Sequence, residues 1–129
     1  MSHVVLLGDS IFDNEVYVAP QPDLSQQLRG RLGAAWTVTL LAVDGHVTKD
    51  VRRRQLDHVP GNASHLVISV GGNDALGHAP ILGERAASVA EAVERLAQAQ
   101  SSFATDYAQM IEAVVSRGIP TAVAGPMFS

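Results

Sequence analysis

The sequence predicts an α/β fold in three layers, a parallel sheet with helices on both faces. Three observations carry that expectation. Short apolar runs alternate with longer amphipathic stretches, the runs are apolar on both faces as strands buried in a parallel sheet are, and glycine-containing polar clusters follow the first three of them.

The elements are read in order. Val4–Leu7 is a continuous apolar tetrad closed by Gly8, the pattern of a buried strand. Asp23 is an N-cap, Leu24, Leu28 and Leu32 mark one helical face, and Gly33 ends that helix. Trp36–Val43 is a second buried strand. Thr48 caps a helix running through Val51 and Leu56 and stopped near Pro60 and Gly61. Leu66–Val70 is the third strand, ended by Gly71–Gly72. From about Arg85 to Arg117 the pattern is helical: Val89, Val93 and Leu96 share one face, and Phe103, Tyr107, Met110, Ile111 and Val114 share another. A break near Ser101–Ser102 is expected to divide this stretch into two helices. Gly118 fits the position after the second, and Ile119–Ala124 is a fourth apolar strand. Crossovers between such strands are right-handed.

Composition bounds the function. At 129 residues the chain is expected to be one domain over 1–129, with no internal repeat or linker. It is 47% hydrophobic and 17% charged, ordinary for a globular protein, and its net charge of −4 gives no reason to expect nucleic acid as a partner. The basic cluster Lys49, Arg52, Arg53 and Arg54 reads as a solvated helix face before a phosphate patch. Without cysteine the chain has no disulfide, no thiolate nucleophile and no cysteine-based metal site. No leader-like segment precedes Val4 and no apolar run reaches membrane-spanning length, so the expected location is cytoplasmic. Neither a G-x-x-x-x-G-K-[ST] loop nor a G-x-G-x-x-G follows the first strand, which counts against a nucleotide-binding domain.

In open α/β sheets the ligand site lies beyond the C-terminal ends of the strands. The first three strands deliver Gly8-Asp9-Ser10, Asp44-Gly45-His46 and Gly71-Gly72-Asn73-Asp74 there. Each cluster alone is an ordinary turn. Together they hold the parts of an acyl-transfer site. A serine hydroxyl is a nucleophile once a base takes its proton, and the oxyanion that follows needs preorganised donors. The backbone N–H groups of Ser10 and Gly45 and the neutral amide of Asn73 can supply them.

With these residues in view, the chain resembles the SGNH hydrolases, also called GDSL esterases and lipases. Val4-Val5-Leu6-Leu7-Gly8-Asp9-Ser10 is similar to that family's first block, the glycine of Ala42-Val43-Asp44-Gly45-His46-Val47-Thr48 to its second, and Val70-Gly71-Gly72-Asn73-Asp74 to its third. The resemblance implies a flavodoxin-like α/β/α fold, hydrolysis of ester or acyl bonds in a small ester or acylated substrate, and no metal or organic cofactor. It implies Ser10 as nucleophile and oxyanion donor, Gly45 as a backbone donor and Asn73 as a side-chain donor. Asp9, Asp44 and Asp74 are read as holding the turns through side-chain bonds to nearby N–H groups and not as a triad acid, with Gly72 as a further turn residue.

The family's fourth block, an Asp-x-x-His that supplies the base and its orienting acid, has no counterpart among the 129 residues. Family domains run to roughly 200 residues, so a C-terminal strand and helix are expected to be missing, leaving the fourth strand open to self-association. None of the five histidines is a ready substitute. His3 and His65 begin strands, at the wrong edge, and His58 lies in a loop. His46 and His78 fall on the site edge as surface or substrate-lining residues. The chain alone is expected to turn over little ester, and the competing expectation is a binding module that keeps the pocket without a base. The loops Asp13–Pro22 and Leu76–Gly83, with Phe12, Tyr17 and Ile81, would set specificity or pack the core.

Overall fold

A computed structural model describes residues 2–77, 80, 83 and 87–124. Four strands, β1 (Ser2–Gly8), β2 (Trp36–Leu40), β3 (His65–Ser69) and β4 (Thr121–Val123), form one parallel sheet in the order β2-β1-β3-β4. The fold class is the one the sequence predicts. Because successive side chains on a strand face opposite ways, Val4 and Leu6 serve one face of the sheet and Val5 and Leu7 the other. On the first face Val4, Leu6, Val38, Phe12 and Ala42 pack with Leu24, Leu28 and Leu32 of α2 (Leu24–Leu32). On the second, Val5, Leu7, Leu66, Ile68 and Val70 pack with Val51, Leu56, Met110 and Val114. These are the three layers.

Helix α2 starts as expected. The Asp23 carboxylate accepts the Gln26 N–H at 2.9 Å while Gln26 Oε1 accepts the Asp23 N–H at 3.1 Å, a reciprocal cap. A short helix not foreseen, α1 (Glu15–Val18), lies within the expected Asp13–Pro22 loop. The next helix begins at α3 (Thr48–Asp50) and continues as a π-helical turn, Val51–Gln55, and a 3-10 turn, Leu56–His58. Thr48 is its first residue and not its cap: the Asp50 carboxylate accepts the Val47 N–H at 2.9 Å, and the Thr48 hydroxyl is used elsewhere.

Further expectations need correction, among them the fourth strand, which spans Thr121–Val123 and not Ile119–Ala124. Strand β2 stops at Leu40 and not Val43, because the N–H groups of Leu41 and Ala42 both turn to the Leu6 carbonyl, each at 2.9 Å, which ends the ladder. Gly72–Gly77 forms a short helix, α4, where a turn was expected. The break at Ser101–Ser102 does not occur: α5 is one helix, Val89–Val115, capped by Ser88, whose hydroxyl accepts the Glu91 N–H at 3.1 Å. Serine in a helix costs only a few tenths of a kcal/mol, and the anchoring of Met110 and Val114 in the core outweighs it.

Helix α5 also outruns the sheet. Its 27 residues extend about 40 Å, against roughly 17–23 Å for a strand of five to seven residues. Only its second half therefore has a sheet beside it. Met110 and Val114 are fully buried, whereas Val89, Val93 and Leu96 are 80%, 58% and 47% exposed. Strand β4 is an edge, and all three of its residues are exposed.

Replacing Met110 by Ala is expected to cost about 2–5 kcal/mol, the range for emptying a close-packed site. Val89→Ala, by contrast, should stay within about 0.5 kcal/mol. Urea denaturation midpoints of the two variants check both statements, and equal effects would refute the assignment of the core to the second half of α5.

Candidate active site

The site begins where β1 ends. Gly8 lies opposite Ser69 of β3, with φ at +138°, and a Cβ built on it would fall onto the Ser69 carbonyl. Only glycine fits there. The Asp9 N–H still bonds the Ser69 carbonyl at 3.2 Å, and then the chain folds over. The Asp9 carbonyl accepts the N–H groups of Phe12 and Asp13 at 3.1 and 3.0 Å, and its carboxylate accepts the Ile11 N–H at 3.1 Å. Ser10 sits at the tip of this turn, partly exposed, and buried Phe12 pins the turn to the core.

The second turn follows β2. The His46 N–H closes it on the Val43 carbonyl at 3.1 Å. Gly45 has φ at +89° and open space where a side chain would be, so its backbone stands clear for an approaching molecule. The first two turns are joined directly: the Asp44 N–H donates to the Asp13 carboxylate at 2.8 Å, and the Tyr17 hydroxyl donates to the Asp44 carboxylate at 2.8 Å. Helix α4, which follows β3, is joined to the second turn by the Asn73 amide, which donates to the His46 carbonyl at 3.0 Å. The Asp74 carboxylate accepts both the N–H and the hydroxyl of Thr48, at 3.0 and 2.8 Å.

A residue that sequence reasoning passed over completes the network. Gln55 is 3% exposed and bridges Gly8 to His46. Its signal was present: Thr48, Val51 and Gln55 stand at i, i+3 and i+7, the stripe that a helix buries. The adjoining basic residues distract from it. Of these, Lys49 reaches Asp106 at 3.8 Å and Arg54 reaches Asp50 at 3.5 Å, in each case an exposed cation against a mostly covered carboxylate.

Ser10 and Gly45 thus lie on turns, and Asn73 at the start of α4, all held at one edge of the sheet. Among the described residues the Ser10 hydroxyl has no hydrogen-bond partner. His3 is buried at the opposite edge between Asn62 and Thr39, at 2.9 and 2.6 Å, His65 lies against the Trp36 ring, and His58 is exposed. His46 is engaged by Gln55 through Nδ1. His78 and Ile81 lie outside the described residues. Among the described residues no three His, Asp or Glu side chains gather as metal ligands.

Burial beside Ser10 pushes the Asp9 carboxyl above its ordinary range, and the nearby charges of Asp74 and Asp44 add to the rise, against the lowering effect of the Ile11 N–H bond. The folded protein therefore holds the Asp9 proton more tightly than the unfolded chain. The ionised form is the less stable one, and its handicap fades as pH falls toward the raised value. Relative to an Asp9→Asn variant, which keeps the acceptor for Ile11, the parent protein should gain stability between neutral pH and mildly acidic pH. Paired urea midpoints at the two pH values check this, and a relative loss on acidification would reverse the sign.

Comparisons with known proteins bear on the fold and the family. No curated protein sequence matches the chain. Among solved structures it is similar to an extracellular lipase from Streptomyces rimosus, at 22% identity and a TM-score of 0.65, covering 97% of this chain and 60% of that one. It is similar to AlinE4, an SGNH-hydrolase family esterase, at 23% identity and 0.62, covering 97% and 59%. It is also similar to a phospholipase A1 from Streptomyces albidoflavus, at 22% identity and 0.60, covering 95% and 57%. The chain thus spans about three fifths of the length of these structures, and at such identities the likeness concerns the fold. The family itself is shown by the match of residues 6–128 to the GDSL-like Lipase/Acylhydrolase family. This chain belongs to that family.

Proposed function

We propose that these residues form the nucleophile and oxyanion-hole part of a serine hydrolase acting on ester or acyl bonds. Ser10 attacks the acyl carbon, and the N–H groups of Ser10 and Gly45 with the Asn73 amide receive the oxyanion. The observation that supports this best is the direct tie between turns: Asp13 to Asp44, and Asn73 to His46, at 2.8 and 3.0 Å. Those bonds hold three chain segments, distant in sequence, as one rigid edge, which is what preorganised donors require. Asn73 spends one of its two amide hydrogens on His46 and keeps the other for substrate. Asp9 and Asp74 shape the turns, and Gly72 opens the helix that carries Asn73. A small ester or acylated molecule is the substrate class.

The base and its acid belong to an Asp-x-x-His block that these 129 residues do not contain. Losing the base of a catalytic triad costs on the order of 10⁶ in rate, while an oxyanion hole and binding alone retain on the order of 10³ over water. A second reading, a binding module or degenerate hydrolase, draws on the Ser10 hydroxyl, which has no partner among the described residues. The exposed edge of β4 completes the proposal as a site of self-association, which sedimentation checks: a monodisperse monomer would count against it.

Hydrolysis of a short-chain nitrophenyl ester separates the two readings. The 129-residue chain should show little or none. A chain carrying an in-frame Asp-x-x-His continuation should hydrolyse it, lose that activity with Ser10→Ala, and lose about 10²–10³-fold in kcat with Asn73→Ala. Hydrolysis that survives Ser10→Ala would sink the nucleophile assignment. Tight binding of the ester with no turnover by the extended chain would favour the module.

A further inference from the structure

Gln55 has every polar atom of its buried amide engaged. Its Oε1 accepts the Gly8 N–H at 2.8 Å, its Nε2 donates to the Gly8 carbonyl at 2.8 Å, and the same Nε2 lies 2.9 Å from His46 Nδ1. The two bonds to Gly8 fix which way the amide faces. Turned over, it would set NH₂ against N–H and oxygen against oxygen. An amide nitrogen donates twice and accepts nothing. One hydrogen goes to Gly8, so the other is left for His46, and Nδ1 must be the acceptor. A neutral imidazole that accepts at Nδ1 carries its proton on Nε2.

We propose that Gln55 is a positioning residue that holds His46 as the neutral Nε2–H tautomer, making it a hydrogen-bond donor to a substrate oxygen at the edge that bears Ser10. In that state His46 is no base for Ser10, because one nitrogen already accepts from Gln55 and the other already holds its proton. The backbone of His46 is fixed as well, its N–H on Val43 and its carbonyl on Asn73. Its ring, half-buried against Gln55, is therefore carried by a turn clamped on both sides, next to Gly45. The chemistry it suits is an oxygen acceptor, the carbonyl or alkoxy oxygen of an ester. What the donor acts upon rests on the serine-hydrolase reading above, whereas the tautomer does not.

Nitrogen-15 NMR of the imidazole rings in the intact 129-residue chain tests the proposal, at a pH where the ring is neutral. The expected His46 spectrum has a protonated Nε2 and an unprotonated Nδ1, and an Nδ1–H spectrum would overturn the proposal. In Gln55→Glu the carboxylate has no hydrogen to give and can only accept. That variant, if folded, should invert the tautomer ratio by about tenfold or more toward Nδ1–H, and an unchanged ratio would also overturn it. If the variant does not fold, the parent spectrum decides alone. Failure of the hydrolase reading would show separately, as ester hydrolysis that survives Ser10→Ala, and would leave the tautomer result standing.

Discussion

The closeness of Gly8 to the Ser69 carbonyl is the constraint on which the site depends. At the positive φ of this residue a Cβ would point along the sheet into that carbonyl, so only glycine can end β1 in this conformation. That approach ends β1 abruptly, and its last backbone groups pass from the sheet to a side chain. The N–H goes to Gln55, and the carbonyl is shared between Gln55 and the Val43 N–H. The chain must then turn at once, which brings Ser10 out at the edge. Any side chain at position 8 would force the backbone out of this conformation, under the very turn that presents the serine.

Around that point the sheet divides into a stiff middle and loose margins. β1 and β3 are flanked on both sides and most of their residues are buried, while β2 and β4 are edges with exposed positions. The three candidate turns spring from β1, β2 and β3. Those from the central strands are anchored by the sheet itself. The turn after edge strand β2 owes its position to side chains, namely Asp13, Asn73 and Gln55. Rigidity at the site is therefore borrowed from the core at two turns and supplied by hydrogen bonds at the third.

Electrostatics at this edge present a problem that the network answers. Asp9, Asp13, Asp44 and Asp74 crowd an edge where a developing oxyanion would need positive polarity. Each carboxylate is occupied by a donor: Asp9 by Ile11, Asp13 by Asp44, Asp44 by Tyr17 and Asp74 by Thr48. Bonds of this kind spread the carboxylate charge onto the turns they hold. The strain that remains shows at Asp9, whose proton is held more tightly than usual because burial denies it water.

The sequence by itself determined the class of fold, the family resemblance and the three clusters that the strands deliver to one edge. Each depends on signals local to a few residues: unbroken apolar runs, glycines at strand exits, and the short motifs Gly8-Asp9-Ser10 and Gly71-Gly72-Asn73-Asp74. Tertiary structure decided what no local signal carries. It kept α5 continuous through Ser101–Ser102, because the packing of its second half outweighs a weak local preference. It ended β2 at Leu40, because Leu41 and Ala42 found the same carbonyl on the neighbouring strand. Above all it recruited Gln55, a residue 47 positions from Gly8, whose role exists only once a helix is laid across the end of a strand. Periodicity could place Gln55 on a buried face, but which backbone it meets there is set by packing between elements.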